Sequence, residues 1–123
     1  MKRLSIIVLF FVLATACGRK DKGFIPERLL NEQEMIAIMT DVQIIEADIN
    51  YQKQQDRDHD PNDTTKVVPK DYLKISHEYY DQLFEHYGIT DSILQQNMRY
   101  YTEHPEELEK IMDSVLQRLM KLK

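Results

Sequence analysis

The chain has 123 residues, with 16 Lys and Arg against 21 Asp and Glu, a formal charge of -5 and a single cysteine. That length accommodates one domain, and one thiol excludes an internal disulfide, a Cys-x-x-Cys redox pair and a cysteine-based zinc site. The acidic balance, with no basic run to offset it, argues against nucleic acid as a partner.

The chain opens with Lys2 and Arg3, then an apolar run from Leu4 to Leu13 broken only by Ser5, then the small residues Ala14, Thr15 and Ala16. A basic start, a short apolar stretch and a small-residue cleavage site make residues 1–16 an export signal. A membrane-spanning helix needs about 20 apolar residues, and Leu4 to Ala16 supplies 13. Cys17 follows at once. The stretch Leu13-Ala14-Thr15-Ala16-Cys17-Gly18 resembles the lipobox of bacterial lipoproteins, with its Leu one place further from the cysteine than usual. The resemblance implies that Cys17 carries acyl chains such as palmitate and becomes the first residue of the mature protein. Gly18 in place of Asp then implies an outer-membrane destination, and a tether less acidic than the surface-export tags of such lipoproteins implies a domain facing the periplasm. Without residues 1–16 the chain keeps 107 residues, 14 of them basic and 21 acidic, a formal charge of -7.

Residues 17–27 read as a lipidated tether, closed by Pro26, which disfavours helix at Ile25. Residues 28–123 read as a helical domain with a polar loop near 55–68. Asn31 and Glu34 have capping-box spacing, and Met35, Ile38, Met39, Val42, Ile45 and Ile49 recur at three and four residues, predicting a helix over 32–54. Asp56 to Thr65 lacks large apolar residues and contains Pro61, so it reads as solvated loop. Pro69 is expected to open a second helix with the stripe Tyr72, Ser76, Tyr79, Leu83 and Tyr87, stopped by Gly88. Thr90 then caps a short third helix to about Tyr101, with Ile89 placed to staple onto Leu94. Pro105, with Glu106 and Glu107 at the positive end of the helix dipole, starts a fourth. Its stripe is Leu108, Ile111, Met112, Val115, Leu119 and Leu122. No segment alternates with period two, so the expected fold is all-α, a small bundle of about four amphipathic helices.

Two polar residues fall on apolar faces. Glu46 lies in the sector of Met35, Ile38, Met39, Val42 and Ile49, and Asn97 lies among Ile93, Tyr100 and Tyr101, so burying those stripes brings a carboxylate and an amide to the core. Each then needs hydrogen bonds, and tyrosine hydroxyls are the expected supply, since Tyr72, Tyr79, Tyr80, Tyr87, Tyr100 and Tyr101 crowd the second and third helices. One reading is a satisfied network that sets helix register. The other is a cleft lined by Glu46, Asn97, Tyr79, Tyr80, Tyr100 and Tyr101 that binds a ligand or peptide. Neighbours on a helix diverge by about 100 degrees, so one ring of each Tyr-Tyr pair is expected to pack and the other to sit at a rim.

Metal and enzyme readings are weaker. Asp56, Asp58 and Asp60 alternate as in a calcium loop, but Pro61 replaces the turn glycine and Val67 the closing Glu. His77, Asp81 and Glu85 share a helix face opposite Tyr72 and Leu83, which reads as solvated. The chain carries no GxSxG, HExxH, Walker or GxGxxG pattern, and a non-enzymatic protein without cofactor or bound metal is expected.

The combination Ile25-Pro26, Ile38-Met39-Thr40-Asp41-Val42, Glu46-Ala47, Tyr79-Tyr80-Asp81-Gln82-Leu83-Phe84, Tyr87-Gly88-Ile89-Thr90, Tyr100-Tyr101, His104-Pro105 and Ile111-Met112-Asp113-Ser114-Val115 resembles a Bacteroidota lipoprotein family, domain of unknown function 4296. The resemblance covers roughly Pro26 to Leu119 and implies a small helical lipoprotein of the cell envelope, with no activity to carry over. Leu83 to Leu122 is more faintly similar to the helical part of SurA-like periplasmic chaperones. The expected function is a membrane-anchored accessory or assembly factor that binds an envelope protein. A small-ligand or glycan-binding lipoprotein is the alternative, and a chaperone-like binder of unfolded outer-membrane clients a further one.

Overall fold

The computed structural model describes residues 23–58, 62 and 70–122. The export signal, Cys17, Asp60, Pro61, Val67 and Pro69 lie outside the described residues. Four helices follow a non-helical entry segment, and the described residues contain no strand: α1 (Glu32–Arg57), α2 (Tyr72–Tyr87), α3 (Asp91–Thr102) and α4 (Pro105–Lys121). The all-α expectation holds.

The helix ends are set by local chemistry. At the start of α1 the Asn31 side chain accepts from the Glu34 amide at 3.0 Å, and Glu34 Oε2 accepts from the Asn31 amide at 2.9 Å, a complete capping box. α1 continues three residues beyond Gln54, because Asp56 in its last turn is held by Tyr72 and Lys70. α2 begins at Tyr72 rather than at Pro69. Its cap is Asp71, whose side chain accepts from the Lys74 amide at 3.1 Å and so satisfies a first-turn donor, which a proline side chain, without an acceptor atom, does not do. At its other end Gly88 has φ 60 and ψ 38, and the pair Gly88 N–H to Glu85 O and Ile89 N–H to Phe84 O closes a Schellman motif. Thr90 caps α3 through the Ile93 amide at 3.2 Å, and Pro105 occupies the first turn of α4 with Glu106 and Glu107.

α1 packs on α2 and α4, and α3 packs on α4. The core cluster holds Leu30, Met35, Ile36, Ile38, Met39, Ile89, Leu94, Tyr101, Ile111 and Val115, with Val42, Phe84, Leu108 and Leu119 packed against it. Along α1 it reaches no further than Val42. Before Val42, α1 is covered on more than one side, so Ile36 and Thr40, outside the expected stripe, are buried too. Thr40 meets its need for a partner by donating to the Ile36 carbonyl at 2.6 Å. Beyond Val42, α1 and α2 continue as a two-helix arm in which only Ile49 and Leu83 are buried.

That change of surroundings corrects the placement of Glu46. It lies on the apolar sector, but at a level where the core cluster has ended, so its side chain is exposed. The stripe of α4 needs a similar correction. Ile111 and Val115 are buried, while Met112 is 40% and Leu122 66% exposed, because α1 and α3 together leave part of that wide apolar band uncovered.

Candidate functional site

The expected polar cluster separates into two sites. At the first, residues 24–30 form a strap laid against α3. Asn97 is fully buried, and its side chain is satisfied by main chain rather than by tyrosine hydroxyls. Asn97 Oδ1 accepts from the Leu30 amide at 2.8 Å, and Nδ2 donates to the Arg28 and Ile93 carbonyls, each at 2.8 Å. Tyr101, 3% exposed, donates its hydroxyl to the Leu30 carbonyl at 2.6 Å. Both backbone groups of Leu30 are therefore held by side chains four residues apart on α3, on one helix face.

Further bonds extend the clamp. The Glu27 amide donates to Gln96 Oε1 at 2.8 Å and the Phe24 amide to Glu103 Oε2 at 2.9 Å. Arg28 reaches the Gly88 carbonyl at 3.2 Å and Glu34 at 3.1 Å, and the Arg99 guanidinium sits 4.3 Å from the Phe24 ring centre. Tyr100, half-buried, stacks on His104 at 4.1 Å and meets Tyr101 edge-on. The His104 Nδ1–H donates to the Tyr100 carbonyl at 2.7 Å, which sets the tautomer because a carbonyl can only accept. The Tyr100–Tyr101 pair thus divides into a rim ring and a packed one.

The second site is the arm, where each tyrosine of α2 donates to a carboxylate of α1. Tyr87 bonds Asp41 at 2.5 Å, Tyr80 bonds Glu46 at 2.6 Å, Tyr79 bonds Asp48 at 3.0 Å and Tyr72 bonds Asp56. Positions on α1 rise as those on α2 fall, so the two helices are antiparallel and the ladder sets their register. Burial together with the bonded carboxylate pushes the hydroxyls of Tyr72, Tyr80 and Tyr87 up to about 12. For Tyr87 the Arg118 charge acts the other way, more weakly than burial and Asp41. Burial and then the nearby Glu107 raise Tyr101 as well. Tyr79 and Tyr80 are both half-buried and both bonded, so that pair does not split into a packed and a rim ring.

Sequence reasoning found Glu46, Asn97 and the tyrosines but missed Asp41, Asp48 and Asp56 as their partners. A signal was present: acids at 41, 48 and 56 and tyrosines at 72, 79 or 80 and 87 share a spacing of seven to eight, the repeat of two helices side by side. Leu30 and Arg28 gave no such signal, since their role lies in main-chain groups.

Two shallow grooves flank these sites. One, of about 270 Å³, is lined by Asp41, Ile44, Ile45, Tyr79, Leu83 and His86. The other, of about 460 Å³, lies beside the strap against Phe24, Ile25, Gln96 and Arg99. Among the described residues no group of three His, Cys, Asp or Glu side chains is placed to hold a metal ion, and His77, Asp81 and Glu85 are exposed along α2. Of the alternating aspartates, Asp56 closes α1 against Tyr72 and Asp58 is its C-cap. No helix among the described residues is long and apolar enough to cross a membrane.

Fold and sites together define a small all-α domain in which an entry strap is locked to one helix and two others are joined by tyrosine–carboxylate bonds. The chain belongs to the family described as domain of unknown function DUF4296, whose model matches residues 26–123. The match begins at Pro26, inside the strap, so it takes in most of the clamp and the whole ladder. No curated protein and no solved structure matches the chain.

Proposed function

We propose that the chain is a cell-envelope lipoprotein: residues 1–16 are removed, Cys17 is acylated, and residues 17–27 lead to a helical domain that faces the periplasm from the outer membrane. The domain acts without catalysis, as an accessory or assembly factor that binds a protein partner. One observation carries the binding reading. Met112, Leu116 and Met120, at steps of four on α4, are 40%, 58% and 61% exposed and stand outside the core cluster. Three large apolar side chains in a row along one helix face are the kind of patch that marks an interaction surface on so small a domain. The row suits the apolar face of an amphipathic helix, read at the same i and i+4 spacing. The small-ligand alternative has less support, because Asn97 is sealed under the strap while Glu46, Tyr79 and Tyr80 stand on the arm.

A photo-crosslinking residue in place of Leu116, in cells that make the full chain, tests the partner. The expected result is a discrete protein adduct that is absent when the same residue replaces Leu73, which is 70% exposed on α2. Equal labelling at both positions, or none at Leu116, refutes the reading. Incorporation of labelled palmitate, lost in Cys17→Ser, tests the anchor separately.

A further inference from the structure

The strap presents an unusual contrast. Asn97, Tyr101, Gln96 and Glu103 fix its main chain, yet its own large apolar groups stay in water: Ile25 is 83% and Leu29 51% exposed. A frayed terminus exposes apolar residues at little consequence, but these stand on a segment held by bonds from three side chains of α3 and from Glu103 at its C-cap. Beside them Phe24 is half-buried under the Arg99 guanidinium and opens onto the larger groove.

The position of this patch in the chain limits what can cover it. Gly23, the first described residue, follows Cys17 by six residues. Six residues span at most about 20 Å when fully extended, so an acylated Cys17 keeps Gly23 within that distance of the bilayer, and Phe24, Ile25 and Leu29 follow one, two and six residues further along the chain. A linker this short holds its two ends at an effective concentration of about millimolar, so even a weak surface contact is occupied. Charge is divided in the same sense. Residues 18–29 contain four basic and two acidic side chains, a net charge of +2, whereas residues 30–123 contain ten basic and nineteen acidic, a net charge of -9. An anionic surface attracts the first part and repels the second.

We infer that Phe24, Ile25 and Leu29 form a seat for a lipid surface, the headgroup region of the bilayer that holds the Cys17 acyl chains. The domain docks with the strap down, and the acidic α1–α2 arm points away. The seat rests on the lipoprotein reading above, since the acyl anchor supplies both proximity and effective concentration. The clamp on Leu30 then has a purpose beyond stability: it converts a short tether into a fixed orientation, presenting the arm and α4 to whatever approaches from the aqueous side.

The test uses the full chain made in a host that acylates lipoproteins, reconstituted into vesicles of phosphatidylethanolamine and phosphatidylglycerol. With Cys17 in thioether linkage, a cysteine introduced at Ile25, Leu29 or Leu73 is the only free thiol and takes an environment-sensitive fluorophore. Probes at 25 and 29 are expected to shift to shorter emission wavelength and to be quenched by spin-labelled lipid, while the probe at 73 behaves as in water. Intact mass reads acylation independently. An acylated chain whose probes at 25 and 29 match the one at 73 overturns the seat and leaves the anchor standing. A chain with unmodified Cys17 overturns the anchor and the seat together. Probes that become shielded only on adding envelope proteins, and not on lipid alone, also overturn it, by assigning the strap to a protein.

Discussion

Asn97→Leu tests the strap clamp most directly, because leucine keeps the branched shape and the number of heavy atoms of the side chain and removes every hydrogen-bonding atom. Asn97 is fully buried and makes three bonds to main chain. The three partners are not equally exposed to the loss. The Ile93 carbonyl lies within α3 and retains helical bonding. The Leu30 amide sits in a buried bond and loses its partner, at about 1–3 kcal/mol for an unsatisfied buried donor. The Arg28 carbonyl lies in a partly buried bond and can recover some hydration, so its loss falls near the lower end of that range, about 1 kcal/mol. The sum is about 3 kcal/mol, against a total stability of about 5–15 kcal/mol for a domain. Urea unfolding of the full chain is expected to show the midpoint falling accordingly. The melting temperature should fall by roughly 15 °C at this domain size. Hydrogen exchange at the Leu30 amide locates the effect: about 3 kcal/mol corresponds to exchange about a hundredfold faster. A variant within about 0.5 kcal/mol of wild type, the range of an ordinary surface substitution, with Leu30 still protected, would refute the claim that Asn97 holds the strap.

The arm predicts an alkaline limit to stability. Tyr72, Tyr80 and Tyr87 hold their protons to about 12 in the folded chain against 10.0 for a free tyrosine, so above pH 10 the folded state binds more protons than the unfolded one. Their contribution is complete below pH 10 and is lost as pH rises towards 12. The urea midpoint should therefore fall over that window, and in the triple Tyr→Phe variant the slope should largely disappear; an unchanged slope would show that the ladder does not bind those protons. Gly88→Ala tests the Schellman stop. Nothing lies within 4 Å of the added Cβ, so the whole effect comes from φ 60. A loss of about 1 kcal/mol in urea unfolding is expected, with Gly88→Asn losing less, and a neutral Ala variant would contradict a strained position.

What sequence alone determined were the features that depend on a few neighbouring residues. The capping box of Asn31 and Glu34, the Thr90 cap, the Gly88 stop and the Pro105 start all fell where expected, because each concerns backbone groups within one helical turn, which the caps satisfy and which Pro105 reduces by lacking an N–H. The misplaced start of α2 has the same origin, since Pro69 and Asp71 are both legitimate start signals and the capping oxygen of Asp71 decided between them. The all-α class and most of the apolar stripes followed from periodicity in the same way.

Tertiary structure decided the environment of each residue on those stripes. Glu46 and Asn97 were equivalent by pattern, each a polar group on an apolar face. Asn97 lies where α3 meets the strap and is sealed, whereas Glu46 lies past Val42, where the core cluster ends, and its carboxylate meets Tyr80 of α2 in the open. Periodicity reports which way a side chain points from its own helix, not how many other elements stand in that direction. For the same reason the apolar band of α4 could be read from its spacing, while its division into a buried half at Ile111 and Val115 and an open half at Met112, Leu116 and Met120 could not. The strap lay furthest from sequence reasoning. Its anchoring passes through the main-chain groups of Leu30 and Arg28, which every residue possesses, and only the approach of α3 makes those two into a site.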